Sequence, residues 1–140
     1  MCSGIWGTFF IYQQVSQENI TTPTDASLPN VSVKGPWTLM SQADIIRHHT
    51  LTATNGKTFA EMPRQIPTLN ADGSPVLDEN GKPVMQANTA RDMWITATTL
   101  TTALNLGILS YAFSALVSVL GFIFLLMSIA FYASDKKRDT

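Results

Sequence analysis

GILSYAFSALVSVLGFIFLLMSIAFY, residues Gly107–Tyr132, governs how the rest of the chain is read. An α-helix rises about 1.5 Å per residue, so the stretch would extend ~39 Å, enough to cross a hydrocarbon core of about 30 Å with some tilt. The core helix of a soluble protein carries a polar face, whereas here the polar groups are scattered hydroxyls. No Asp, Glu, Lys, Arg or His occurs from Met93 through Ser134. Tyr111 and Tyr132 fall near the two ends, where amphipathic rings favour a membrane interface. These features predict a transmembrane helix over 107–132.

The flanks predict its orientation. Lys136, Lys137 and Arg138 follow the apolar run, while the other side offers Arg91 balanced by Asp92. By the positive-inside rule the tail 133–140 is cytoplasmic and residues 15–92 are extracytoplasmic. The bulk composition hides this asymmetry, with 45% hydrophobic residues over 140 positions and a mean hydropathy of +0.10. A net charge of −1 leaves no basic patch to release counterions from phosphates, which argues against a nucleic-acid partner. The single cysteine, Cys2, excludes an internal disulfide framework and a cysteine-built zinc site.

Small residues line up along the span. Ser110, Ser114 and Ser118 recur every four positions, Gly121 follows by three, and Ser128 continues the row. Helices in lipid associate by close backbone approach over such residues, so the stripe predicts a partner helix. The opening stretch MCSGIWGTFFIYQQ supplies one. It lacks the basic start of a signal peptide and the apolar segment that precedes a lipobox cysteine. The twelve residues before Gln13 reach about 18 Å, short of a complete span. Residues 1–14 are therefore expected to be the outer part of a first transmembrane helix whose beginning is missing, with Gly4 and Gly7 packed near the Ser114–Gly121 stripe.

Between the two membrane segments the chain is polar and rich in turn residues. TTPTDASLPN reads as loop, and VSVKGP as one short strand through Val31 and Val33, stopped by Gly35-Pro36. In WTLMSQADIIRHHTLTATNG, Leu39, Ala43, Ile46, Thr50 and Ala53 recur at helical spacing, and Asn55-Gly56 is a stop signal. Thr58 and Glu61 have capping-box spacing and predict a short helix that Pro63 ends. Gly73-Ser74-Pro75-Val76 is echoed by Gly81-Lys82-Pro83-Val84. Asn80-Gly81 predicts a type I′ hairpin, with Glu79 facing Lys82, Leu77 facing Val84 and Val76 facing Met85. From Asn88 or Thr89 a last helix begins, its stripe of Trp94, Ala97, Leu100, Leu104 and Ile108 leading over residues 93–106 into the membrane.

One cluster invites a metal or catalytic reading. Asp44 and His48 are four apart and share a helix face, while the adjacent His49 points about 100° away from His48, which hinders chelation of one ion. No further histidine exists in the chain to complete a site. The simpler reading pairs Asp44 with Arg47 or His48 on a wet face. Asn70, Asp72, Asp78 and Glu79 do not match a calcium loop and read as solvated turns. Asn19-Ile20-Thr21 and Asn30-Val31-Ser32 are glycosylation sequons, which matter in a eukaryotic secretory pathway. No P-loop, dinucleotide fingerprint or nucleophile elbow is present, and no cofactor is expected.

QADIIRHHTLTATNGKTFAEMPR, PTLNADGSPVLDENGKPV and TARDMWITATTLTTALNLGILSYAFSALVSVLG resemble a family of small actinobacterial membrane proteins of unknown function. The likeness runs from about Gln13 to Tyr132 and is most specific in ADII-x-x-H and NGKTFAEM. It implies two transmembrane helices around an extracytoplasmic segment. Some members carry the label aromatic ring-opening dioxygenase, a chemistry that needs bound iron with open coordination positions and a dry pocket.

Together these readings predict a mainly α membrane protein. It has one full C-terminal transmembrane helix, a partial N-terminal one, and a small α+β extracytoplasmic domain with a β-hairpin. The expected role is structural or accessory in the cell envelope, without catalysis: in contact with membrane lipid, the chain binds another membrane protein or a second copy of itself through the Ser/Gly stripe and the outer domain. The alternative is a metal-binding protein or enzyme using Asp44, His48 and His49.

Overall fold

The computed structural model describes the backbone of residues 2–138 and the side chains of residues 2–135. It is mostly helical, with α1 over Cys2–Gln17, α2 over Pro36–Ala53 and α3 over Thr89–Arg138. A two-stranded antiparallel sheet joins β1, Gln65–Pro67, to β2, Met85–Ala87. α3 is, among the described residues, the one helix long and apolar enough to cross a membrane, and almost none of its apolar window is buried. The predicted lead-in over 93–106 and the predicted span over 107–132 are one unbroken helix. Met1 and the side chains of Lys136, Lys137 and Arg138, on which the orientation argument rests, lie outside the described residues.

The chain forms two compact units, Met1–Ala43 with Ala103–Thr140, and Asp44–Thr102. In the first, the loop between α1 and α2 carries little regular structure and is pinned by hydroxyls. The predicted strand at Val31–Val33 reduces to a single bridge, Thr21 to Ser32, beside a Val33 amide that donates to Ile20 at 2.9 Å. Thr22, 1% exposed, donates its hydroxyl to the Leu28 carbonyl and accepts from the Val31 amide at 3.1 Å. Ser41, on α2, receives the Leu28 amide and the Ser27 hydroxyl, both at 3.0 Å. A residue pair too short to make a ladder is thus replaced by side-chain acceptors, which satisfy buried backbone donors equally well.

α2 starts where proline fixes the first helical φ and removes an amide that would have no intrahelical partner. Thr38 takes up the neighbouring donors: its hydroxyl accepts the Lys34 amide at 2.9 Å and the Gly35 amide at 3.1 Å. Leu39, 2% exposed, then turns inward onto α3, where a Cβ added to Gly107 would lie 3.2 Å from its Cδ1. Leu104 and Tyr111 complete this small core with Ala26, Val33 and Ala43. The Tyr111 hydroxyl donates to the Lys34 carbonyl at 2.6 Å, tying the entry of α2 to α3.

In the second unit α2 ends as the sequence predicts. Asn55 and Gly56 both take positive φ, 53° and 75°, and the Gly56 amide reaches back to the Leu51 carbonyl at 2.7 Å. Ile45, not Ile46, is the buried member of the isoleucine pair. Thr58 and Glu61 close their capping box over a single 3₁₀ turn, Phe59–Glu61. The predicted stripe of α3 holds at Trp94 and Ala97, which are half-buried, and fails at Leu100, which is 50% exposed. The half-buried neighbour is Thr101, because α3 presents a face shifted by one residue there.

The predicted hairpin is replaced by a closed arrangement of three segments. Leu77 pairs with Pro83 rather than Val84, and the turn runs from Asp78 to Gly81, whose amide donates to the Asp78 carbonyl at 3.0 Å. Asn80 does not take the positive φ that a type I′ turn demands. Gly81 alone does, at 73°, as in a type I turn followed by a left-handed glycine. The Asp78 carboxylate drives this choice by accepting the amides of Asn80 and Lys82, each at 2.9 Å. The turn Asn70–Gly73 has the same form, with Leu69 paired to Pro75. β1 and β2 supply the third side, pairing Pro67 with Met85. The Thr68 amide donates to Val84, Val84 to Val76 and Val76 to Thr68, each at 2.8 Å, so the three segments form a ring.

Two exposed carboxylates in this unit are held below the usual range. The Thr58 amide and hydroxyl lower Glu61, and the Ser74 hydroxyl and amide lower Asp72. A folded-state pKa below the unfolded one means that the ionised form favours folding. The contribution is therefore complete above the unfolded value and is lost as pH falls through the folded value. Carboxyl NMR titration should give both groups midpoints below those of free side chains, and Ser74→Ala should raise that of Asp72. An unshifted Asp72 in the parent protein would contradict the turn geometry.

Candidate functional site

The best-defined residue constellation lies between α1 and α3. Gly4 is the buried residue of α1. A Cβ placed on it would run into the Ser118 hydroxyl and lie 2.6 Å from the Ser114 carbonyl oxygen and 2.8 Å from the Ser118 amide nitrogen. Gly7 faces the Ser114 hydroxyl, 2.8 Å from where its Cβ would be. Gly4 meets the later part of the stripe and Gly7 the earlier, so the two helices run antiparallel. Backbones can approach this closely because neither glycine has a side chain and the serines are short.

The hydroxyls at the contact do not bond across it. Ser118 donates to the Ser114 carbonyl and Thr8 to the Gly4 carbonyl, both at 3.0 Å within their own helices. These two hydroxyls are satisfied within their own helices, and what the contact offers between the helices is close van der Waals packing. The other predicted members of the stripe are placed differently. Ser110 is exposed, donates to the Leu106 carbonyl at 2.8 Å, and borders an open groove with Gly7, Phe10, Leu109 and Phe113. Gly121 is half-buried and Ser128 is exposed. The partner helix expected for the stripe is, at Ser114 and Ser118, the chain's own α1.

Asp44, His48 and His49 are all exposed on α2, with the two imidazole centroids 6.2 Å apart and tilted by 53°. Among the described residues no group of three or more His, Cys, Asp or Glu side chains is placed to hold a metal ion. Two acidic residues of the turns are structural: Asp72 accepts the Ser74 hydroxyl at 2.6 Å, and Asp78 holds its turn as described. Asn19 and Asn30, the sequon asparagines, both occupy turn positions with positive φ, 50° and 54°.

Sequence reasoning missed three features. Arg91, counted there as a flanking charge, lies over the Phe59 ring at 3.8 Å and donates to the Met62 carbonyl at 2.7 Å. The Tyr111–Lys34 hydrogen bond joins residues too far apart in the chain to be paired by pattern. The closed ring of segments did have a signal, Pro67, Pro75 and Pro83 recurring at intervals of eight, followed after two positions by Leu69, Leu77 and Met85. No protein-family model, curated protein or solved structure matches the chain.

The geometry ranks the two glycines. Gly4→Ala drives a methyl against backbone atoms of α3 and should destabilise the helix pair by about 1–3 kcal/mol, the range for overpacking. Gly7→Ala meets only a rotatable hydroxyl, and the better helix propensity of alanine, up to about 1 kcal/mol, offsets the contact. Unfolding of the purified protein by dodecyl sulfate in mild detergent should therefore show a lowered midpoint for Gly4→Ala and little change for Gly7→Ala. Equal effects would mean that the helices do not meet in this register.

Proposed function

We propose that the chain is an integral membrane protein of a bacterial cell envelope with a structural or accessory role. The apolar helical segment 107–132 carries the chain across the bilayer, and α1 lies in the membrane against it. Residues 15–92 stand on the extracytoplasmic side, the tail 133–140 lies in the cytoplasm, and no catalytic step is required of any residue. The observation that carries this reading is the apolar surface of α3, which the rest of the chain leaves almost entirely uncovered. α1 supports it by exposing Ile5, Trp6, Phe9 and Phe10 while burying Gly4. A helix that turns small residues to its neighbour and large apolar ones outward is ordered for lipid, not for water. The resemblance to small actinobacterial membrane proteins points the same way.

The role is one of binding a partner protein, a membrane protein or a second copy of the chain. Leu69 and Leu77, each 57% exposed, and Met85, 47% exposed, are equivalent positions of the three ring segments. Such residues add nothing to the core of their own unit, and repeated apolar exposure is a feature of interaction surfaces.

Topology is tested by labelling cysteines in a Cys2→Ser background. Asn80→Cys should react with a membrane-impermeant maleimide on intact cells, and Ser134→Cys only after lysis. The reverse pattern would overturn the orientation, and extraction of the protein by alkaline carbonate would overturn membrane integration. A photo-crosslinking residue at position 77 should form a discrete adduct with a membrane protein or with a second copy. Absence of any adduct from positions 69, 77 and 85 alike would overturn the partner-binding role.

A further inference from the structure

The charge-free run from Met93 through Ser134 is twice as long as a bilayer needs, about 20 residues at 1.5 Å each. The sequence therefore leaves open where along α3 the hydrocarbon begins. The first unit removes that freedom. Its loop 18–35 carries backbone donors and acceptors outside any regular ladder, and such backbone is not tolerated in contact with lipid tails. Near the end of this loop the Lys34 carbonyl accepts the Tyr111 hydroxyl at 2.6 Å. Leu39 then meets α3 at Gly107, four residues toward its N-terminus, so α2 climbs α3 away from the apolar end.

We propose that the outer boundary of the hydrocarbon lies at Tyr111 and that Trp37, with Lys34, anchors the protein to the phospholipid headgroups there; the proposal rests on the membrane reading above. From Ala112, about 20 residues of helix reach Phe131 and Tyr132, which matches a ~30 Å core without strong tilt. Trp37 sits in the first turn of α2, at the level of the Tyr111–Lys34 bond, and is 75% exposed. It contributes nothing to the small core, which Leu39 enters from the opposite side of the helix. Side chains on a helix lean toward its N-terminus, and for α2 that is the bilayer side. An indole in this position places its apolar ring among the upper acyl carbons and its N–H among glycerol and phosphate oxygens. Lys34 adds a cation at the same level, suited to a lipid phosphate. Tyr12 of α1, 44% exposed, borders the groove that Pro36 and Tyr111 share and extends the aromatic ring at this height.

The test uses the full chain in phosphatidylcholine–phosphatidylglycerol vesicles containing lipids brominated either near the headgroup or near the chain ends. One variant keeps Trp37 alone, through Trp6→Phe and Trp94→Phe. A second carries all three replacements, Trp6→Phe, Trp37→Phe and Trp94→Phe, with Phe124→Trp as a deep reference. Trp37 should lose most of its emission to the shallow bromines and little to the deep ones, while the position 124 probe shows the opposite order. Quenching at 124 with an unquenched Trp37 overturns the anchor and leaves the membrane reading standing. Deep quenching of Trp37 overturns the boundary at Tyr111. No quenching at either position overturns the membrane reading and the anchor together.

Discussion

Close packing onto α3 at Gly107, Ser114 and Ser118 is the interaction on which the first unit depends. Leu39 closes over Gly107, and Gly4 closes over Ser114 and Ser118 with no room for a methyl group. A helix carrying leucines at these positions would hold its neighbours farther off, and the few buried side chains of the unit, none larger than Tyr111, would not fill the gap. The small residues of α3 therefore act as sockets. They let a chain with a thin core use shape instead of buried area to hold its elements together.

The second unit solves the same shortage differently. Its three short segments bury almost no apolar surface, and each pairs over only one to three residues. Closing them into a ring gives each a hydrogen-bonded neighbour on both sides, so no segment is left as a bare edge. Prolines at 67, 75 and 83 lack the amide that a longer ladder would need, which limits extension of the pairing. Asp72 and Asp78, exposed and acidic, serve as acceptors for turn amides. Arg91 adds an anchor by stacking on Phe59 and reaching the Met62 carbonyl. Polar side chains here do the work that a core does in a larger domain, and the apolar side chains Leu69, Leu77 and Met85 are left facing outward.

Several elements were legible in the sequence because their causes are local. The C-terminal end of α2 follows from Asn55-Gly56, and the Thr58–Glu61 capping box from residues three apart. The start of α3 after Asn88 follows from a side chain that accepts the Ala90 amide at 3.2 Å. The Asn80-Gly81 turn shows where this stops working. A dipeptide rule favours type I′, but the carboxylate of Asp78 two residues earlier competes for the same amides and sets the other turn, shifting the register by one. Leu100 and Thr101 exchange roles for a related reason, since periodicity gives the width of a face and not its rotation against a neighbour.

The apolar run alone determined that this chain holds a helix able to cross a membrane, because helix length and hydrophobicity are properties of contiguous residues. The small-residue stripe and the glycines of the opening stretch likewise announced close helix contact, without fixing the register. Tertiary structure decided that Gly4 meets Ser114 and Ser118 while Gly7 meets Ser114, and that Tyr111 meets the carbonyl of Lys34. It also decided that three eight-residue segments close on one another. Those outcomes join residues tens of positions apart, where the spacing rules of a single helix or strand carry no information and only packing distances select among the possible partners.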